Sequence, residues 1–386
     1  MPGRLARAPD VGPPRGDGQR PAADRSSTVP AVLLAPYTTL RLGGPPRQLV
    51  EAGDEQTLIG AVGASDAAGD PVLLLGGGSN VVIADAGFAG TAVLVRTRGI
   101  RRTDGGGKVV LTVAAGEDWD GLVAHCVAAG LAGVECLSGI PGCVGATPIQ
   151  NVGAYGQDVA ETIVGVRAYD RQAGAEVSLT AAECAFTYRH SRFKAQPERF
   201  LILEVSFALD RAMSSKPLRY VELTRTLGVP IGGTAPLDDV RAAVLALRAG
   251  KGMVLDAADH DTWSAGSFFT NPILDVEAFA ALDARVLDRV GPDARLPRFP
   301  EPDGRLKTSA AWLIERAGFA KGHRPPGTAA DAPVSISTKH TLALTNRGTA
   351  RTADLVALAR EVAAGVEAAF GVALVPEPVF VGHAWA

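Results

Sequence analysis

The chain has 386 residues, enough for two or three domains, and 47% of them are apolar, enough to build real cores. A formal net charge of −3 gives no footing for bulk nucleic-acid binding, which asks for a basic domain or stripe. No apolar run approaches the roughly 18 residues of a membrane span. The four cysteines, Cys126, Cys136, Cys143 and Cys184, form no CxxC pair, and the six histidines form no triad or zinc-ligand spacing. No metal site and no disulfide framework are expected, and a reducing cytoplasm is the simplest location. A monomer is the expectation, though no feature of the sequence shows the oligomeric state.

Residues 1–29 are rich in Pro, Gly, Arg and Asp and have no apolar h-region. They are expected to be a disordered tail rather than a secretory signal. Folded sequence begins near "LLAPYTTLRLGGPPRQLVEAG". "PVLLLGGGSNVVIAD" reads as strand, glycine turn, strand. "KVVLTVAAGEDWDGLVAHCVAAG" reads as a strand followed by a helix over 119–129, closed by Gly130. A second glycine-rich stretch, "GIPGCVGATPIQNVGAYGQ", comes next. Strands are then expected at "TIVGVRAYD", "AEVSL" and "RFLILEVSFAL", the last alternating as a half-buried strand does. Between the last two, Thr180 and Glu183 have the spacing of a capping box for one short helical turn.

Composition breaks near 210–220. "LDDVRAAVLALRAG" is an expected helix with Val240, Val244 and Leu247 on one face and Gly250 as its stop. "TSAAWLIERAG" is another, ending at Gly318. "TADLVALAREVAAGVEAAFG" is the longest, with Leu355, Val362 and Val366 on one face. The chain closes on an extended "VALVPEPVFVG". Strands and helices interleave without steady βαβ alternation, so the expected class is α+β rather than a doubly wound sheet.

The run Gly76-Gly77-Gly78-Ser79-Asn80 lies between two apolar strands. It lacks the GxGxxG spacing and the following helix of a Rossmann fingerprint, and no Gly-Lys-Ser/Thr makes it a P-loop. Consecutive glycines can still aim several backbone N–H groups at one point and nest phosphate oxygens, with Ser79 and Asn80 as further donors. A tight hairpin loop is the bland alternative. The second loop sets Gly139, Gly142, Gly145 and Gly153 among Ser138, Thr147, Gln150 and Asn151, with few charges. Such a segment lets a large ligand lie against bare backbone, and two such loops suit a dinucleotide with a pyrophosphate centre.

"LGGGSNVVIAD", "IPGCVGATPIQNVGAYGQ", "YRHSRFK", "AGSFFTNP", "AAWLIERAGF" and "PEPVFVG" follow one another in order. Together they resemble the UDP-N-acetylenolpyruvoylglucosamine reductases, flavoenzymes of peptidoglycan precursor synthesis, from about Tyr37 to Gly382. The resemblance implies an FAD domain of the vanillyl-alcohol-oxidase type, a smaller α+β substrate domain, non-covalent FAD, and NADPH as electron donor. It places the FAD domain at 30–215, completed by 371–386, and the substrate domain at 216–370. It implies cofactor contacts from Gly76, Gly77, Gly78, Ser79 and Asn80, and from Pro141, Gly142, Gly145, Ala146, Gln150, Asn151 and Gly153.

The family's reaction reduces an enolpyruvyl ether to a lactyl ether, and the carbon bearing the carboxylate must then receive a proton. Ser267 matches the family's proton donor. A hydroxyl is a weak acid, but an enolate is a strong base, so a well-placed weak donor can serve. Arg189 matches the arginine that holds the developing carboxylate charge, and a guanidinium can do so with two parallel hydrogen bonds. Glu377 matches the catalytic glutamate; Pro376 and Pro378 stiffen its backbone. Tyr220 matches a tyrosine that closes over the substrate diphosphate in one subclass. Lys251, Asn271 and Lys307 are the further substrate contacts that the resemblance implies. Thr270 stands where many relatives carry Lys, and Pro378 where many carry an aliphatic residue. Two other readings stay open: an FAD oxidase of the same fold with flavin attached through a residue such as Cys143, and a nucleotide-sugar binding module without flavin.

Overall fold

The computed structural model describes residues 32–328 and 331–385. The expected tail over 1–29 lies outside the described residues. The fold is α+β.

Three parallel strands open it. β1 (Pro46–Ala52) and β2 (Val72–Leu75) flank β4 (Phe88–Val95), which is almost wholly buried. Helix α1 (Glu55–Ala67) crosses from β1 to β2. Asp54 caps it by accepting from the Thr57 N–H, and Leu58 and Val62 enter the core. This helix has no strong stripe, since Gly60 and Gly63 and several alanines dilute its apolar face. β3 (Val81–Ile83) leaves this sheet and pairs in parallel with Val379–Val381 at the other end of the chain. The glycine run between β2 and β3 is therefore a crossing between two sheets and not a hairpin.

An antiparallel sheet follows, in the order Ala175–Thr180, Ile163–Asp170, Phe200–Arg211, β6 (Lys108–Ala114), β5 (Ile100–Gly105). The central strand Phe200–Arg211 is buried on both faces over its first half and alternates only in its second. Half-burial thus holds for part of it, because its first residues lie between the other strands and the main core. That core gathers Val109, Leu111, Val113, Trp119, Phe193, Val205 and Phe207. Helix α2 (Trp119–Ala128) covers it, with Asp118 accepting from the Gly121 N–H as cap. The Thr180–Glu183 pair makes both reciprocal bonds of a capping box, at 2.8 and 3.3 Å. They close a single turn, and the short helix α3 (Arg192–Ala195) comes later.

Beyond the composition break come α4 (Val221–Leu227), α5 (Leu237–Gly250), α6 (Val276–Val290), α7 (Ala310–Arg316) and α8 (Thr352–Phe370). Val240 and Val244 of α5 are fully buried, as are Leu355, Val362 and Val366 of α8. A second core joins α6, α7 and α8 to Phe268, Phe269 and Leu374. Asp85, just after β3, accepts from the Thr352 and Ala353 N–H groups at 2.8 and 3.0 Å and so caps α8 from far away in sequence. Together with the pairing of β3, this fixes the last segment of the chain against the glycine run. Among the described residues no helix is long and apolar enough to cross a membrane.

Candidate active site

The two glycine loops meet. A Cβ on Gly77 would come within 2.6 Å of the Gly142 Cα, and one on Gly78, whose φ is +60°, within 2.0 Å of the Tyr37 carbonyl oxygen. Both positions thus exclude any side chain. Ser79 Oγ donates to the Pro141 carbonyl at 3.0 Å and ties the loops. The N–H groups of Gly77, Gly78, Ser79 and Asn80 have no acceptor among the described residues. Gly76 and Gly77 line a cleft of about 460 Å³ together with Thr38, Arg96, Gly139, Pro141 and Cys143.

Farther along the second loop most of the residues expected to meet the cofactor also make contacts within the protein. Gly145 is bare because Ala115 lies against it; an added Cβ would sit 2.6 Å from the Ala115 Cβ. Ala146 is exposed. Gln150 Oε1 accepts from Asn80 Nδ2 at 3.0 Å. The Asn151 amide donates to the Thr187 carbonyl and accepts from the Ala160 N–H, both at 3.1 Å. Gly153 is backed by the Asp158 carboxylate. Cys143, taken from sequence as the nearest reactive side chain in this loop, is buried, and burial pushes its thiol up. It is a packing residue and not a ready nucleophile.

Ser267, Arg189 and Glu377 come from three distant stretches. The Glu377 N–H donates to the Phe268 carbonyl at 2.8 Å, and Thr270 N–H to Val375 O at 3.0 Å, so the serine loop and the C-terminal segment run side by side. Phe268 and Phe269 are buried and stack edge-on at 5.2 Å. Gly266 has φ +72° and nothing within 4 Å of where its Cβ would be, which leaves open space before Ser267. Pro378 costs no strand bond, because the first residue to pair is Val379, whose N–H donates to Asn80 O at 2.9 Å.

Arg189 Nε lies 3.4 Å from Glu377 Oε1. Its Nη1 and Nη2 donate to the carbonyls of Asn151 and Gly153 at 3.3 and 2.8 Å. Its backbone has φ +51°, in a turn closed by two hydrogen bonds between Thr187 and His190. A left-handed non-glycine residue costs about 1–3 kcal/mol and persists only where its surroundings over-determine it. Burial raises the Glu377 carboxyl above its ordinary range, against the opposing pull of Arg189 and Lys194. Burial raises Asp158 likewise, again against Arg189.

The expected substrate contacts fall into two groups. Lys251 pairs with Glu222 and stands 5.6 Å from the Tyr155 ring centre, and Tyr155 meets Tyr220 edge-on at 5.2 Å. Lys307 pairs with Glu301 at 2.6 Å and lies 4.6 Å from the Tyr188 ring, which Arg189 approaches from 5.5 Å. Asn271 Oδ1 accepts from the Ala310 N–H at 3.0 Å and so helps to start α7. Thr270 reaches only Val375 O, at 3.3 Å, and brings no charge. Sequence reasoning passed over Tyr155, Tyr188, Asp158 and Arg96. The adjacency of Tyr188 to Arg189 was the one available signal; the others are marked only by the fold.

Two family models match this chain. One is described as the C-terminal domain of UDP-N-acetylenolpyruvoylglucosamine reductase and covers residues 258–381; the other is an FAD binding domain covering 46–180. The UDP-N-acetylenolpyruvoylglucosamine reductase of Streptomyces coelicolor is 61% identical over 352 residues, 91% of this chain and 89% of its own. That of Thermobifida fusca is 57% identical over 352 residues, 91% and 97%. This chain belongs to the UDP-N-acetylenolpyruvoylglucosamine reductase family. The crystal structure of the Thermus caldophilus reductase superimposes with a TM-score of 0.58 at 25% identity, covering 91% of this chain and 97% of that one. The chain is an FAD-dependent oxidoreductase of peptidoglycan precursor synthesis. The reductase family's cofactor fits what the cleft offers: a gap made by absent side chains and a row of unengaged N–H donors suited to a pyrophosphate.

Proposed function

We propose that this chain reduces the enolpyruvyl ether of UDP-N-acetylglucosamine to UDP-N-acetylmuramate, with NADPH as electron donor and with Ser267, Arg189 and Glu377 as its catalytic residues. The observation that carries this reading is Arg189, held in a strained left-handed turn and placed 3.4 Å from a carboxyl that lies beside the serine loop. FAD, when bound, supplies the two-electron reduction that no side chain here can perform.

The Arg189 guanidinium meets the substrate carboxylate, where negative charge grows. Burial raises the Glu377 carboxyl and so favours its protonated form, which would donate a hydrogen bond to the same developing enolate. Ser267 gives its hydroxyl proton to the carbon that bears the carboxylate. Phe268 and Phe269 keep bulk water from this corner and so strengthen each of these interactions. Tyr220 and Lys251 form one cluster suited to a diphosphate, with Lys307 on the Arg189 side and Asn271 at the start of α7. Four unpaired, buried thiols suit a reducing cytoplasm.

The test is to mix the purified yellow protein with NADPH and the enolpyruvyl sugar nucleotide. One NADPH should be oxidised per substrate reduced, and denaturation should release free FAD. No oxidation, or flavin that stays on the denatured chain, would count against the proposal.

A further inference from the structure

We propose that Arg96 is the cation that neutralises the cofactor's pyrophosphate, a role that rests on reading the glycine cleft as the FAD site. The motif Gly76–Asn80 contains no charged residue. Its N–H groups supply dipoles but no net charge, while a dinucleotide's pyrophosphate carries two negative charges. The balancing charge has to come from another part of the wall.

Three arginines and two aspartates line the cleft. The aspartates are engaged: Asp118 caps α2, and Asp120 holds Arg241 at 2.6 and 2.8 Å and the Gly139 N–H at 2.6 Å. Arg98 is exposed and divides its donors between the Gly116 carbonyl and Glu117. Arg41 donates to the Pro36 carbonyl at 2.8 Å.

Arg96 is half-buried and has no carboxylate within 4 Å among the described residues. Its Nη1 is fixed by the carbonyls of Gly76, at 2.9 Å, and Val95, at 3.1 Å. Nε and Nη2 have no acceptor among the described residues. The charge also reaches the second loop, where Arg96 is the foremost group opposing the upward push of burial on the Cys143 thiol. The guanidinium thus shares the cleft wall with both glycine loops, anchored on Gly76 at one side and free on the other, at the start of the run whose N–H groups are unengaged. A half-buried cation without a counter-charge is unfavourable, and an anion in the cleft relieves it. Two free donors on one rigid fork match adjacent phosphate oxygens.

The experiment measures FAD affinity by fluorescence quenching on the full chain stripped of flavin, for wild type, Arg96→Gln and Arg96→Lys, at 50 and 500 mM salt. Thermal melting of each flavin-free protein runs alongside. Arg96→Gln should weaken FAD binding roughly tenfold or more, as expected for a lost hydrogen bond to a charged group, with flavin-free melting unchanged. Wild-type affinity should fall with salt more steeply than that of the glutamine variant. Arg96→Lys should recover part of the loss. Equal FAD affinity in wild type and Arg96→Gln overturns the proposal. So does a fall in flavin-free melting that accompanies the affinity loss, which would make Arg96 a brace for the Gly76 carbonyl. A wild-type chain that binds no FAD ends the cofactor reading itself; the other two results leave that reading standing.

Discussion

At Gly77 and Gly78 the chain makes room by omitting side chains; at Arg189 and Glu377 it crowds charged side chains into a corner shielded by Phe268 and Phe269. The first region depends on two loops about 60 residues apart and offers backbone donors that need no rearrangement to meet an anion. The second depends on three segments spread over nearly 190 residues and holds an uncommon backbone conformation. A surface built from absences tolerates no added atom, and one built from convergent charges tolerates no lost partner. The two should therefore fail differently when altered.

Gly78→Ala should produce the largest structural effect. Its Cβ would press on the Tyr37 carbonyl and its φ would be strained, so destabilisation of about 3 kcal/mol and loss of flavin retention are expected, read by denaturant titration and visible absorbance. Arg189→Lys should leave flavin bound and lower turnover about 100-fold or more, because an ammonium cannot reach two carbonyls and a carboxylate as a fork does. Turnover near wild type would show that the fork is dispensable.

On stability, Glu377→Gln should act most gently, and its effect should depend on pH. The folded carboxyl has a raised pKa, so the folded chain binds that proton more tightly than the unfolded chain does. The resulting stability is present below the unfolded value of about 4.3 and is lost as pH rises through the raised folded value. Glutamine cannot ionise. The variant should match wild type in acid and gain on it toward neutral pH, a gap that denaturation at a series of pH values would reveal. A parallel pair of curves would mean that the folded carboxyl binds its proton no more tightly than the unfolded one.

Much of the first region was legible in the sequence, because glycine runs announce missing side chains directly. Helices α5 and α8 were legible too, since Val240, Val244, Leu355, Val362 and Val366 repeat at helical spacing. Helix α1 was not, because small residues thin its stripe; α6 was passed over although Asp275 caps it and Phe279, Leu282 and Val286 fall at helical spacing. The pairing of β3 with Val379–Val381 joins residues almost 300 positions apart, and nothing local encodes it. Yet that pairing is what carries Glu377 to the glycine run. The left-handed backbone of Arg189 was hidden as well, because Tyr188-Arg189 is not the residue pair that such a turn ordinarily recruits. Resemblance located the three residues; only the fold runs the Ser267 loop alongside Glu377 and sets Arg189 against that carboxyl.

Rapid-mixing kinetics of Ser267→Ala resolve the two half-reactions separately. Reduction of the bound flavin by NADPH should proceed as in wild type, because no proton from Ser267 is needed there. Reoxidation by the enolpyruvyl sugar nucleotide should slow by about 100- to 10,000-fold, the range for a lost proton donor. Reoxidation at the wild-type rate would show that another group delivers the proton and that the corner formed with Arg189 and Glu377 is not the seat of the chemistry.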